Sequence, residues 1–267
     1  MVMNDDTLQN VVFAPHILSP SVFLIYEVDS EDFGEYIDSR FSLVTLNNKS
    51  YIVMYVSNET AYVNDALQSV LKSFPAINVY TTVNYTNTLS RQALSESLPN
   101  PLFASICEPY TIQPYKCYQL STDSYFSLNN QSKIFDFYSS VLNPPINTLV
   151  TVNLTVEFNP SEKIDYNDSS SIAGIYLNPV NNIDETQSMY QYGQPCPVNT
   201  IEPIFRAHLY NFFYTDLYQC TIKNLQSNYL TTIIGNIKGL NENKPTWCFY
   251  APYHFYKTTN AKPIILN

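Results

Sequence analysis

Residues Asn147 to Pro160, NTLVTVNLTVEFNP, constrain the fold more than any other stretch of this chain. Thr148, Val150, Val152, Leu154, Val156 and Phe158 share one side of an extended segment, and Leu149, Thr151, Asn153, Thr155 and Glu157 share the other, the period-2 pattern of a half-buried strand. Pro144, Pro145 and Pro160 bracket it. Proline cannot donate to a sheet ladder, so the strand is expected to end at these positions. An apolar sheet face must be covered by a second layer, and the segment therefore calls for a layered, β-rich domain.

The preceding residues read as an N-terminal ββαβα unit. Residues 1–20 form an extended arm, Val22–Val28 a buried strand, and the charged run Asp29–Arg40 a solvent loop or short helix. Phe41–Leu46 and Tyr51–Val56 make a hairpin around a four-residue loop, Asn47 to Ser50. A helix capped by Asn64 or Asp65 runs through Phe74, with Ala66, Leu67, Val70, Leu71 and Phe74 on one side and Pro75 as its stop. Ile77–Tyr85 returns to strand, and Thr88–Leu98 is a second helix with Leu89, Ala93 and Leu94 or Leu98 inward. The Pro-rich stretch 99–114 divides an α+β unit, 1–100, from a β-sandwich or jelly-roll-like part, 101–267, unless the two are continuous. Beyond it come a helix over Ser132–Leu142, the long strand, a loop-dominated region from Asn159 to Asn199, and strands at Ile204–Tyr214, Leu217–Ile222, Tyr229–Ile237 and Thr246–Tyr256.

Composition narrows the function classes. The chain has 267 residues, 23 acids against 13 bases and a formal charge of −10, with no basic cluster. A nucleic-acid binder needs a positive face, so direct binding to DNA or RNA is disfavoured. Charged residues are only 13% while aromatics reach 15%, including 23 tyrosines, which argues for an ordered fold. A protein built on Tyr, Asn, Ser and Thr has few ion pairs to lose in acid, which suits a hot or acidic setting; AT-rich coding is the competing explanation. The N-terminus lacks the basic and apolar regions of a secretory signal, and no apolar run is long enough for a transmembrane helix. An extracellular style without an export signal suits a particle released by lysis or budding.

Five cysteines stand at 107, 117, 196, 220 and 248. Cys107 and Cys117 suit a small disulfide-closed loop, with buried thiols as the alternative; metal-ligand spacing is absent, and His16, His208 and His254 stand apart. No phosphate-cradling, zinc-protease or nucleophile-elbow motif occurs. Cys248 with His254, or Cys220 with His208, could form a dyad, and Glu157 with Asp165, or Asp184 with Glu185, a carboxylate pair; solvated or structural roles are favoured for all of them. N-x-[ST] sequons occur at Asn48, Asn58, Asn84, Asn130, Asn153 and Asn167, close to the number chance gives, and Asn48, Asn153 and Asn167 are the accessible glycosylation candidates. The tracts YNFFYTDLY and WCFYAPYHFY are divided between core and interface, with Tyr210, Phe213, Tyr214, Trp247, Tyr250 and Tyr253 as interface candidates.

The tracts YNFFYTDLYQC and WCFYAPYHFY, the Gly-poor strands and the leader MVMNDD resemble the style of virion structural proteins of hyperthermoacidophilic archaeal viruses. That resemblance implies a jelly-roll or unfamiliar α+β fold and a non-enzymatic role in a capsid, turret, spike or tail. It further implies a virion or extracellular location, partners that are copies of the chain, other virion proteins or a host surface, and no cofactor. The runner-up is an extracellular adhesion or carbohydrate-binding protein. A glycoside hydrolase is the third reading.

Overall fold

The computed structural model describes residues 17–37, 41–59, 73–85, 88–98, 116–142, 144–145, 147–166, 168, 170–177, 189–196, 204–214, 216–258 and 262–264. They form one 14-stranded sheet, three short α-helices and a 3-10 turn at Gly34–Tyr36. In chain order the strands are β1 (Ile17–Val28), β2 (Ser42–Leu43), β3 (Ser50–Glu59), β4 (Phe74–Tyr85), β5 (Thr88–Leu98), β6 (Lys116–Leu120) and β7 (Tyr125–Asn129). They continue with β8 (Ile134–Leu142), β9 (Thr151–Lys163), β10 (Met189–Cys196), β11 (Ile204–Tyr214), β12 (Tyr218–Ser227), β13 (Trp247–Thr258) and β14 (Lys262–Ile264). The helices are α1 (Ser30–Phe33), α2 (Ile172–Tyr176) and α3 (Tyr229–Ile233).

The sheet closes on itself twice. Because β5 pairs with both β4 and β6, the path β4–β5–β6–β8–β9–β12–β13–β1–β3 returns to its start. A second path runs from β5 through β10 and β11 to β13. The branch points are half-strands: Trp247's strand gives Phe249 and Tyr250 to β12, then residues 254–258 to β11. Likewise β5 pairs Arg91 and Gln92 with β10 and residues 95–98 with β6, both in parallel, within an otherwise antiparallel sheet.

Strands β1, β3, β4 and β13 are apolar on both faces, which explains the unbroken run VFLIYEV. Val22, Leu24, Tyr26 and Val28 enter the interior core with Ile52, Met54, Val56, Ile77, Val79, Cys248 and Tyr250. Their neighbours Phe23, Ile25, Tyr51, Val53, Tyr80 and Phe249 enter a second cluster on the opposite face, covered by α2. The long strand has the expected face: Val150, Val152, Leu154, Val156 and Phe158 are buried in the interior core. Each full burial contributes about 1.5–3 kcal/mol.

Several expectations are corrected. Pro160 lies within β9, on its exposed last stretch. Thr88–Leu98 is β5, and Ser132–Leu142 holds β8 rather than a helix. Tyr229–Ile233, expected as strand, is α3. The helix expected to end at Phe74 falls mostly outside the described residues, and Phe74 and Pro75 themselves begin β4. The turn after Leu46 is tighter than expected: Asn47 and Asn48 sit at φ 54° and 60°, and Leu46 and Lys49 exchange backbone bonds. The arm before it reaches β4 instead of β3, because β3 already has β1 on one edge and β4 on the other. Among the described residues there is thus no N-terminal ββαβα unit and no sandwich; the sheet takes strands from both sides of residues 99–114.

Candidate functional site

One row of the sheet brings polar chemistry to the apolar interior. Following the ladder, Cys248 stands opposite Leu24, Leu24 opposite Met54, Met54 opposite Val79, Val79 opposite Ser95 and Ser95 opposite Lys116. Residues paired across strands share a sheet face, and Leu24, Met54, Val79 and Cys248 all belong to the interior core. The row therefore carries position 116 on the interior face. The rest of β6 agrees: Tyr118 stands opposite Ser97 and meets the interior core, and Leu120 is fully buried in it.

Beside this row lies a buried hydroxyl cluster. Tyr229 Oη is 2.8 Å from Ser95 Oγ and 2.6 Å from Ser97 Oγ. A serine has little strand propensity, so two of them inward on β5 are explained by a partner that satisfies both. That partner comes from the first residue of α3. Its start is held from a distance, since Asn228, the residue before the helix, spends its side chain on Thr151 N and Leu149 O. Instead the buried Glu242 carboxylate accepts from Ser227 Oγ (2.6 Å), Leu230 N (2.6 Å), Thr231 N (3.0 Å) and Thr231 Oγ1 (2.7 Å). It supplies both acceptors and negative charge to the helix start.

The same interior holds Tyr26, 1% exposed, whose hydroxyl has no hydrogen-bond partner among the described residues. Burial, with smaller contributions from Glu242 and Cys248, pushes its pKa well up, so the phenol stays protonated at neutral pH. Cys220 and Cys248 are both free thiols. Among the described residues, no group of three or more His, Cys, Asp or Glu could hold a metal ion, and no helix is long and apolar enough to cross a membrane.

The candidates from sequence are dispersed. Cys107 lies outside the described residues, and Cys117 follows Lys116 in β6. Asn48 is exposed in the turn before β3, Asn153 is half-buried in β9, and Asn167 lies outside the described residues. Tyr250 is 1% exposed, its ring 4.1 Å from that of Phe158. Trp247 is half-buried and meets Tyr51 edge-on at 5.3 Å. Tyr210, Phe213 and Tyr214 lie in β11, with Phe213 opposite Phe255 and Tyr214 opposite His254, and Tyr253 lies in β13. Glu157 is paired with Lys223 at 2.5 Å. Sequence reading passed over Lys116, Ser95, Ser97 and Tyr229. The alternation Lys116, Tyr118, Leu120 was the available signal, but it becomes chemical only once β6 is laid beside β5.

No family model matches the sequence, and no curated protein matches it. Solved structures do match. Acetoacetate decarboxylase from Legionella pneumophila aligns at a TM-score of 0.56 and 8% identity, covering 99% of this chain and 98% of the other. A second acetoacetate decarboxylase structure aligns at 0.56 and 10% identity, covering 94% and 89%. The enduracididine biosynthesis enzyme MppR, complexed with the condensation product of pyruvate and imidazole 4-carboxaldehyde, aligns at 0.54 and 8% identity, covering 95% and 89%. Near-complete coverage at such identity is a likeness of fold. It overturns the jelly-roll expectation and, with it, the reading as a non-enzymatic virion component or surface adhesin: the architecture is one found in acetoacetate decarboxylase-like enzymes.

Proposed function

We propose that this chain is an enzyme that binds a small oxo acid as an imine on Lys116 and releases carbon dioxide from it. The reading is carried by one observation, the register that sets position 116 on the interior face beside Ser95. The fold's neighbours, named for acetoacetate decarboxylation and for a pyruvate-derived ligand, supply the substrate class.

A lysine amine attacks a carbonyl only as its free base, so the reading requires Lys116 to be deprotonated when it meets the substrate. The free amine attacks the ketone carbon of a 3-oxo acid to give a carbinolamine, which expels water to form an iminium ion. The carbon–carbon bond to the carboxylate then breaks, its electron pair moving onto the iminium nitrogen as carbon dioxide leaves. Protonation of the resulting enamine at carbon, followed by hydrolysis, returns the ketone and the amine. The hydroxyls of Ser95, Ser97 and Tyr229 each donate once and accept twice, so they can pass a proton to the departing water.

Carbon dioxide release from acetoacetate tests the assignment. The wild-type chain should accelerate release above the buffer rate, and Lys116→Arg, which keeps the charge but not a usable nucleophile, should abolish the acceleration. A Lys116→Arg protein that turns over like wild type overturns it.

A further inference from the structure

We infer that Cys220 and Cys248 are a disulfide site that ties β12 to β13 inside the closed sheet. The two strands are antiparallel, with Tyr218 opposite Tyr250 and Gln219 opposite Phe249. The next step along both strands brings Cys220 level with Cys248. Both side chains pack into the interior core, Cys248 within it and Cys220 against it, and both thiols are free here. Directly opposed residues of an antiparallel pair have Cα atoms about 4.5–5.5 Å apart, within the span a disulfide needs. The location gives the bond a purpose. β12 and β13 share two paired positions, whereas β1 shares eight with β13. Just beyond, β13 leaves β12 to pair with β11. A covalent link would reinforce a seam that the ladder holds at two positions, and would enclose α3 and Glu242 in the loop it creates.

The oxidant required is a small-molecule disulfide such as oxidised glutathione. Cys220 is half-buried and Cys248 is buried, so access favours Cys220 for the first exchange. Its thiolate attacks one sulfur of the oxidant and expels a thiolate. The Cys248 thiolate then attacks Cys220 Sγ in the mixed disulfide, expelling a second thiolate and closing the protein bond. The two protons lost by the cysteines end on the two released thiols, and the oxidant is reduced by two electrons. Burial, together with the contact to Cys248, pushes the Cys220 thiol up. Exchange is therefore slow in the folded chain, and the bond forms as β12 and β13 come together during folding.

The test is refolding of the full chain in a mixture of oxidised and reduced glutathione, then alkylation under denaturing conditions, proteolysis and mass spectrometry. The expected product is a reductant-sensitive peptide pair containing Cys220 and Cys248, with a melting temperature about 5–10 °C above that of the reduced chain. Protein carrying both Cys220→Ser and Cys248→Ser should show neither the pair nor the rise. Recovery of both cysteines as alkylated thiols overturns the inference. So does a bond from either one to Cys107, Cys117 or Cys196, or a glutathione adduct on Cys220 that never resolves. If the double variant fails to fold, the wild-type peptide map decides alone.

Discussion

Changing Tyr229 to Phe removes one oxygen and keeps the ring, and the interior geometry sets the consequence. Tyr229 Oη is 2.8 Å from Ser95 Oγ and 2.6 Å from Ser97 Oγ, and none of the three residues is more than 1% exposed. A neutral hydrogen bond contributes about 1 kcal/mol net, but a buried hydroxyl stripped of its partner costs about 1–3 kcal/mol. Two serines lose the same partner here. Each hydroxyl can rotate toward a backbone carbonyl and recover part of that loss, so Tyr229→Phe should cost about 2–4 kcal/mol. Adding Ser95→Ala and Ser97→Ala removes the stranded hydroxyls while keeping nearly the same shape, and should restore about 1–2 kcal/mol relative to the single variant. Urea unfolding followed by circular dichroism, at matched slopes, measures both numbers. A triple variant less stable than Tyr229→Phe would refute the cluster as the reason two serines face inward.

Other perturbations test separate parts of the structure. Glu242→Ala strips acceptors from two backbone N–H groups and two hydroxyls at the start of α3, and should cost about 3 kcal/mol or more. A loss under about 1 kcal/mol would mean that the helix start is held otherwise. Asp216 should give a small pH-dependent contribution: its bond to Lys163, reinforced by the Tyr218 hydroxyl, holds its pKa down. Because the folded value is the lower one, the contribution is present above the unfolded value of about 3.9 and disappears as pH falls through the folded value. Lys163 is 62% exposed and Asp216 31%, so solvent screens the pair and the gap between wild type and Asp216→Asn should be small. That gap should shrink as pH falls from about 7 to about 2; a gap that stays the same size contradicts the linkage.

The parts of the fold legible in the sequence are those where side-chain polarity follows the pleat. β9 and β11 announce themselves, as does the apolar part of β1, because their residues match strand propensity or alternation. β5 does not: its inward Ser95 and Ser97 are polar, while Leu89, Ala93, Leu94 and Leu98 fall at helical spacing. β8 misleads differently, since Phe135 and Phe137 are buried on one face while Tyr138 stacks on Tyr125 on the other, which blurs a period of two into one near 3.6. α3 is the reverse case. Its residues YLTTI favour a strand, and Glu242, a dozen positions later, overrides them by satisfying the helix start. The candidate site was hidden for a deeper reason. No local motif marks Lys116, which acquires Ser95 as a neighbour only through the parallel pairing of β5 with β6.

Borohydride trapping puts the role of Lys116 to its most direct trial. Reduction in the presence of acetoacetate or acetone converts an imine into a stable secondary amine, and peptide mass spectrometry then locates it. The account predicts one borohydride-dependent adduct on Lys116, absent from Lys116→Arg. No adduct, or labelling spread over surface lysines such as Lys49 and Lys223 and unchanged in Lys116→Arg, would contradict it.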